Sequence, residues 1–356
     1  GVNAPVSLSH KVTWVDLGDA RMTARLEGFV EERGASLFHR LAWLKAVKAG
    51  TDQRAGGFVS EQLGVITGWL PLTEVRSFLF GKALVSSGFG VGGGVCAIED
   101  HASRALGEAA QAHAHAHGFG SIELRGGALP AGVGWRQWED KHCGFERALA
   151  FDDEAELLAI PRKSRAEVRK GLKADLQVRI GRSADDLKAH YAVYSESVRN
   201  LGTPVFPVRL FRAMLDAFPE GSDILTVFQD GKPISSVLSF YHGGVVLPYW
   251  GGGTFAARAT RSNELMYYQL MLHARERGMT RFDFGRSKTG SGPFKFKKNW
   301  GFEPTPLSYA QWTPPGQVAR DVDPTSEAYS RKLELWKKLP LPVANAVGPF
   351  IARGLA

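Results

Sequence analysis

The chain has 356 residues, 44% of them hydrophobic, enough for two domains that each bury a core, which excludes a disordered polymer. Its formal net charge of +8 and pI near 9.4 favour anionic partners such as phosphates, nucleic acid or an acidic membrane face. Cys96 and Cys143 are too few for a disulfide framework, and there is neither an 18-residue apolar run nor a signal-peptide pattern, so a cytoplasmic chain is expected.

In chain order, a helical pattern covers 37–49 and strands fall within 58–77 and 84–87. The run Gly88-Phe89-Gly90-Val91-Gly92-Gly93-Gly94 lacks the acidic residue and the βαβ spacing of a dinucleotide fingerprint and reads as a flexible turn. A helix over 102–117 ends at Gly118, suited to the left-handed position after a helix, and a strand over 121–125 follows. His113, His115 and His117 alternate with alanine on this helix; only His113 and His117 share a face, so no metal site is expected.

The joint between halves is expected within 151–160, giving domains 1–155 and 156–315 and a basic, apolar tail 316–356. From Arg162 to Arg182, eight Lys or Arg residues oppose Glu167 and Asp175. They suit either a solvated helix face or a docking surface for a polyanion. Ser164-Arg165-Ala166-Glu167 fits a capping box. Helices follow over 185–200 and 208–218, the second with Pro207 at its start. Three antiparallel strands, 224–229, 233–241 and 245–250, are joined by Asp230-Gly231 and His242-Gly243-Gly244. A second helix over 262–277 then ends at Gly278 and leads into a strand over 281–286.

This helix, glycine and strand repeat the first set at a spacing of 160 residues, so the chain reads as two related mixed α/β modules. Only the second copy continues into a loop rich in cations, including Lys295 and Lys297, and chemistry is expected there. Asp283, in the strand feeding that loop, suits a base or an amine-orienting carboxylate; it also suits a brace for Arg281, Arg286 or a backbone N–H. Tyr249 and Trp250 either wall a cleft or pack the core. Asn200 and Thr203, in the turn after a helix, either face an acceptor or only close the turn. The segment 332–351, basic and then apolar, suits packing on the body or attachment to an anionic membrane.

Arg199-Asn200-Leu201-Gly202-Thr203-Pro204, Tyr249-Trp250, Arg281-Phe282-Asp283-Phe284-Gly285-Arg286, Gly290-Ser291-Gly292 and Phe296-Lys297-Lys298-Asn299-Trp300-Gly301 together resemble the FemAB-related proteins. More narrowly they resemble the branch associated with exosortase and PEP-CTERM systems. The resemblance covers residues 36–312. It implies two tandem GNAT-like domains, each a mixed, mostly antiparallel sheet flanked by helices. It also implies acyl or aminoacyl transfer to an amine of a cell-envelope or exopolysaccharide precursor. No tightly bound cofactor is expected; acyl-CoA or aminoacyl-tRNA serves as donor substrate, with tRNA and an anionic inner-membrane surface as further partners. Lys297 matches the family's Phe-Lys-x-x-aromatic-Gly segment and is expected to stabilise charge in catalysis, with Arg286 and Lys295 contacting substrate anions. The glycines that cradle pyrophosphate in acyl-CoA enzymes are missing from 257–263, which leaves Arg258 and Arg261 for that task. A reading of another class is a non-catalytic adaptor that binds nucleic acid or anionic lipid through its basic helix and tail.

Overall fold

The computed structural model describes residues 9–77, 81–128, 134–317 and 327–352. In chain order the first elements are β1 (Lys11–Trp14), α1 (Ala20–Glu32), α2 (Leu41–Thr51), β2 (Arg54–Gln62), β3 (Val65–Ser77), β4 (Gly81–Ser86) and β5 (Cys96–Ala97). Next come α3 (Asp100–His117), β6 (Ser121–Arg125), β7 (Arg136–Trp138), β8 (His142–Ala148), α4 (Asp153–Ala159), α5 (Arg162–Lys173), β9 (Gln177–Gly181), α6 (Ala184–Asn200) and α7 (Val208–Ala217). The last are β10 (Ser222–Gln229), β11 (Lys232–His242), β12 (Val245–Gly253), α8 (Ala257–Thr260), α9 (Ser262–Glu276), β13 (Arg281–Lys288), α10 (Gly292–Asn299), β14 (Pro304–Pro306), β15 (Tyr309–Trp312), α11 (Glu327–Lys337) and α12 (Leu341–Ala352).

These elements build two mixed, mostly antiparallel sheets flanked by helices, as expected. One runs β1-β2-β3-β4-β6-β15-β7, with β5 added beside β3; the other runs β9-β10-β11-β12-β13-β8-β14. Position for position the two orders match. In each sheet one neighbouring pair is parallel, β4 with β6 and β12 with β13, and both pairs come from the repeated helix-glycine-strand unit. Gly118 and Gly278, at φ 72° and 87°, supply the left-handed backbone that turns each helix into its strand.

By packing, the described chain divides into one unit up to Trp138 plus 308–317, and another of Glu139–Leu307 plus 327–352. The division therefore falls near 138, ahead of the joint expected at 151–160. The reason is β8, which precedes that joint yet is hydrogen-bonded to β13. Each sheet thus takes its sixth strand from the segment following the other copy's parallel strand: β15 lies between β6 and β7, and β8 between β13 and β14. The tail forms α11 and α12, which pack on α6; Trp336 is buried, and Gly348 approaches Val205 and Trp336.

Several local readings are corrected. The basic stretch is helical only to Lys173, and its end is the edge strand β9, where Val178 and Ile180 alternate with Gln177 and Arg179. Ser164 does not cap a helix. The cap is Pro161, so α5 begins three residues earlier than expected, and the Ser164 hydroxyl donates to the Asn299 carbonyl at 2.9 Å. A capping box does occur at Ser183 and Asp186, at the start of α6.

The run 88–94 is a packed segment, not a free turn. The Gly94 N–H donates to the Arg125 carbonyl at 2.9 Å, and a Cβ built at Gly94 would lie 1.9 Å from the Gly126 carbonyl oxygen. The backbone there cannot yield cheaply, so Gly94→Ala is expected to destabilise the first unit by about 1–3 kcal/mol. Thermal unfolding of the variant beside wild type checks this; an unchanged midpoint would contradict the packing described.

Candidate active site

The parallel pair of the second sheet is short. Val245 faces Arg281 and Val246 faces Phe282, and no later residue of either strand is paired with the other, although β12 continues to Gly253 and β13 to Lys288. Register shifts lie just past the contact. Tyr249 is an extra residue against β11, and one extra residue falls between Asp283 and Arg286 against β8. Bulges bend strands and increase their twist, so β12 and β13 part beyond Val246 and Phe282.

The first unit makes the comparison concrete. At the repeat spacing, Glu123 corresponds to Asp283 and Arg125 to Gly285. Arg125 is buried and fills the space beside its own parallel pair: its N–H donates to Ser86 Oγ at 2.8 Å, and its guanidinium donates to the Gly90 carbonyl at 2.8 Å and to Glu123 at 3.1 Å. Gly285 has no side chain and sits at φ 81°. The counterpart of the filled position is therefore open, and the ammonium of Lys297 lies 4.0 Å from where a Cβ would stand. Sequence reasoning singled out Asp283 but overlooked this Arg-to-Gly difference, which the repeat spacing carries.

Lys297 reaches that point from α10. Ser291 caps the helix by accepting from the Phe294 N–H at 3.3 Å, with Pro293 in the first turn. Lys297 Nζ donates to the Arg286 carbonyl at 3.2 Å and lies 5.6 Å from the ring centres of both Phe145 and Phe284. Burial pulls its pKa down to about 8; Asp283 opposes the fall and Arg286 adds to it. Asp283 accepts from the Gly285 N–H at 2.8 Å. Burial pushes its carboxyl up to about 6; the Gly285 N–H, Lys297 and Arg281 restrain the rise, and Glu146 reinforces it. Glu146 sits directly across from Asp283 on β8 and pairs with Arg281 at 2.6 Å. No sequence motif marks Glu146, because only the sheet register brings it there.

Asp283, Arg286 and Lys297 therefore converge. The other candidates lie elsewhere in the second unit. Lys295 is exposed, about 200° around α10 from Lys297. Trp250 is buried among Phe206, Phe211 and Phe240, and Tyr249 stands edge-on to Phe240 at 5.6 Å. The glycines after them serve packing: Cβ atoms at Gly252 and Gly253 would collide with Ser197 and Asn263. Asn200 is exposed and accepts from Arg199, while the Thr203 N–H donates to Val198 at 2.9 Å. Arg258 is exposed beside the Phe255 ring. Arg261, at φ 58°, pairs with Glu167 of α5 and with Glu264. In the first unit His113 bonds Glu74 at 2.8 Å and stacks on Trp14.

Residues 161–298 match the family model described as an acetyltransferase (GNAT) domain. No curated protein sequence matches the chain. Among solved structures, the chain is similar to FemX, at 15% identity and a TM-score of 0.61 over 81% of this chain and 95% of that one. It is similar to a tandem GNAT protein from the clavulanic acid biosynthesis pathway, at 14% identity and a TM-score of 0.56 over 85% and 98%. A third is the C-terminal domain of a putative lysylphosphatidylglycerol synthetase from Agrobacterium fabrum, at 14% identity and a TM-score of 0.55 over 83% and 93%. The fold is thus the tandem GNAT-like arrangement.

The coupling of the two charges has a measurable sign. Removing the negative charge in Asp283→Asn takes away the contribution that raises the Lys297 pKa, so the lysine should titrate below about 8. A 13Cε-lysine NMR titration reads this, and an unmoved midpoint would separate the two groups. Asp283 also titrates above its ordinary 3.8, so the folded state holds its proton more tightly than the unfolded one. The contribution to stability is full below about 4 and is lost as pH rises through 6; urea unfolding of Asp283→Asn should therefore gain on wild type across that window and level off above it.

Proposed function

We propose that the second unit is the catalytic half of a FemAB/GNAT-type transferase that moves an acyl or aminoacyl group onto an amine. The observation that carries this reading is the half-buried group of Asp283 and Lys297 at the bulge of β13 against β8, where each charge shifts the other's titration, next to the point where β12 and β13 cease to pair. An amine attacking an ester or thioester carbonyl must give up a proton, and negative charge builds on the carbonyl oxygen. At neutral pH Lys297 remains mostly protonated and can donate to that oxygen, while Asp283 is mostly ionised and can orient the amine and accept its proton. The bond formed is the amide; the bond broken is the donor's carbonyl to oxygen or sulfur.

The first turn of α9 supports an aminoacyl ester donor over acyl-CoA. Pyrophosphate binding there would need free backbone N–H groups and positive surroundings. Instead α5 lies close against this turn, where a Cβ built at Gly171 would stand 2.9 Å from the Arg261 carbonyl oxygen, and Arg261 is engaged by Glu167 and Glu264. With its guanidinium committed to two carboxylates, Arg261 is not offered to a phosphate. For the acceptor, the resemblance to the exosortase and PEP-CTERM branch supports an amine of a cell-envelope or exopolysaccharide precursor.

Lys297→Ala should lower kcat/KM by about a hundredfold, or ~3 kcal/mol, the usual size of a lost oxyanion contact. Asp283→Asn should remove the acid limb near pH 6 from the rate profile. Assay of wild type and both variants with aminoacyl-tRNA and acyl-CoA donors checks this. Turnover by Lys297→Ala equal to that of wild type would defeat the assignment.

A further inference from the structure

We propose that the outer side of α5 together with the edge strand β9 is a docking surface for an anionic lipid bilayer, a role separate from the transfer reaction. The inner seam of α5 is narrow. Val168 and Gly171 are buried, and Gly171 packs against Leu265 of α9. The rest of the helix faces outward, with Lys163, Arg169 and Lys173 exposed. Glu167, the one acid on the helix, is held by Lys170 and Arg261, so it does not neutralise those cations.

Aliphatic side chains stand on the same side. Val178 and Ile180 of β9 pair with Val227 and Leu225, whose side chains join Val168 and Leu265 in the core, so they project on the face that α5 and α9 cover. The cover does not reach them: Val178 is 37% and Ile180 36% exposed, and Leu172, in the last turn of α5, is 44% exposed. The surface continues onto α10, because Ser164 joins the start of α5 to Asn299 at the end of α10.

This combination fits lipid better than nucleic acid. A phosphate backbone would be matched by the cations alone, and bases would be met by planar side chains for stacking. The exposed apolar groups here are aliphatic. They gain by entering hydrocarbon, while lysine and arginine beside them gain from anionic headgroups. No helix among the described residues is long and apolar enough to cross a membrane, so attachment would be at the surface.

The test is flotation of the full chain with vesicles of phosphatidylcholine alone or mixed with phosphatidylglycerol. Wild type should float only with the anionic vesicles and lose binding as salt is raised. Each cation contributes about fivefold to partitioning, so Lys163→Gln/Arg169→Gln/Lys173→Gln should lose roughly a hundredfold. Leu172→Ser/Ile180→Ser should also weaken binding, and circular dichroism confirms that both variants are folded. Lys297→Ala should float like wild type, so failure of the transfer reading would leave this one intact. The proposal is overturned if wild type does not float, if either multiple variant floats as well as wild type, or if single-stranded RNA binds through these cations while vesicles do not.

Discussion

Two backbone pairings hold β12 beside β13, and everything distinctive in the second unit depends on their number being so small. A parallel ladder carried further would tie the two strands together along their length. Here bulges on both sides of the contact end it: Tyr249 is inserted in β12, and the backbone near Gly285 takes a conformation that suits glycine. The parting of the strands is therefore a property of backbone geometry, and Lys297 comes to β13 from α10, outside the parallel pair. In the first unit the same geometric opportunity is occupied by Arg125, whose hydrogen bonds to Gly90 and Glu123 turn it into core.

The electrostatic character of the opening follows from partial burial. Desolvation acts in opposite directions on an acid and a base, raising Asp283 and lowering Lys297, so that their titrations move toward neutral pH from both sides. Their attraction limits the movement. The result is a carboxylate and an ammonium that are both mostly charged near pH 7 with titrations drawn toward neutrality, an arrangement suited to chemistry in which one proton leaves as another hydrogen bond strengthens.

Much of the architecture was legible because glycine marks it. Gly118 and Gly278 each end a helix in a way few other residues allow, and Asp230-Gly231 announces a hairpin. Lys297 and Asp283 were legible as candidates, but not their meeting, which requires the turn of chain between them to fold back and a bulge to aim it. Tertiary partners defeated the local readings: Asn299 takes the Ser164 hydroxyl, Glu167 takes Arg261, and Ser197 with Asn263 explains Gly252 and Gly253. The edge strand β9 was hidden because its cations extend the pattern of the helix before it. The boundary was misplaced because hydrogen bonding assigns β8 to a sheet whose other strands all come later in the chain.

The exchange of sixth strands constrains how the molecule can be made. On a ribosome the chain emerges amino end first, and domains ordinarily condense as soon as they are complete. Here the amino-terminal sheet awaits residues 309–312, so through synthesis of the whole intervening module β6 and β7 lack the strand that pairs with both. Until then each presents an unsatisfied ladder, a template for wrong partners in the crowded nascent state. The long separation also raises contact order and slows closure.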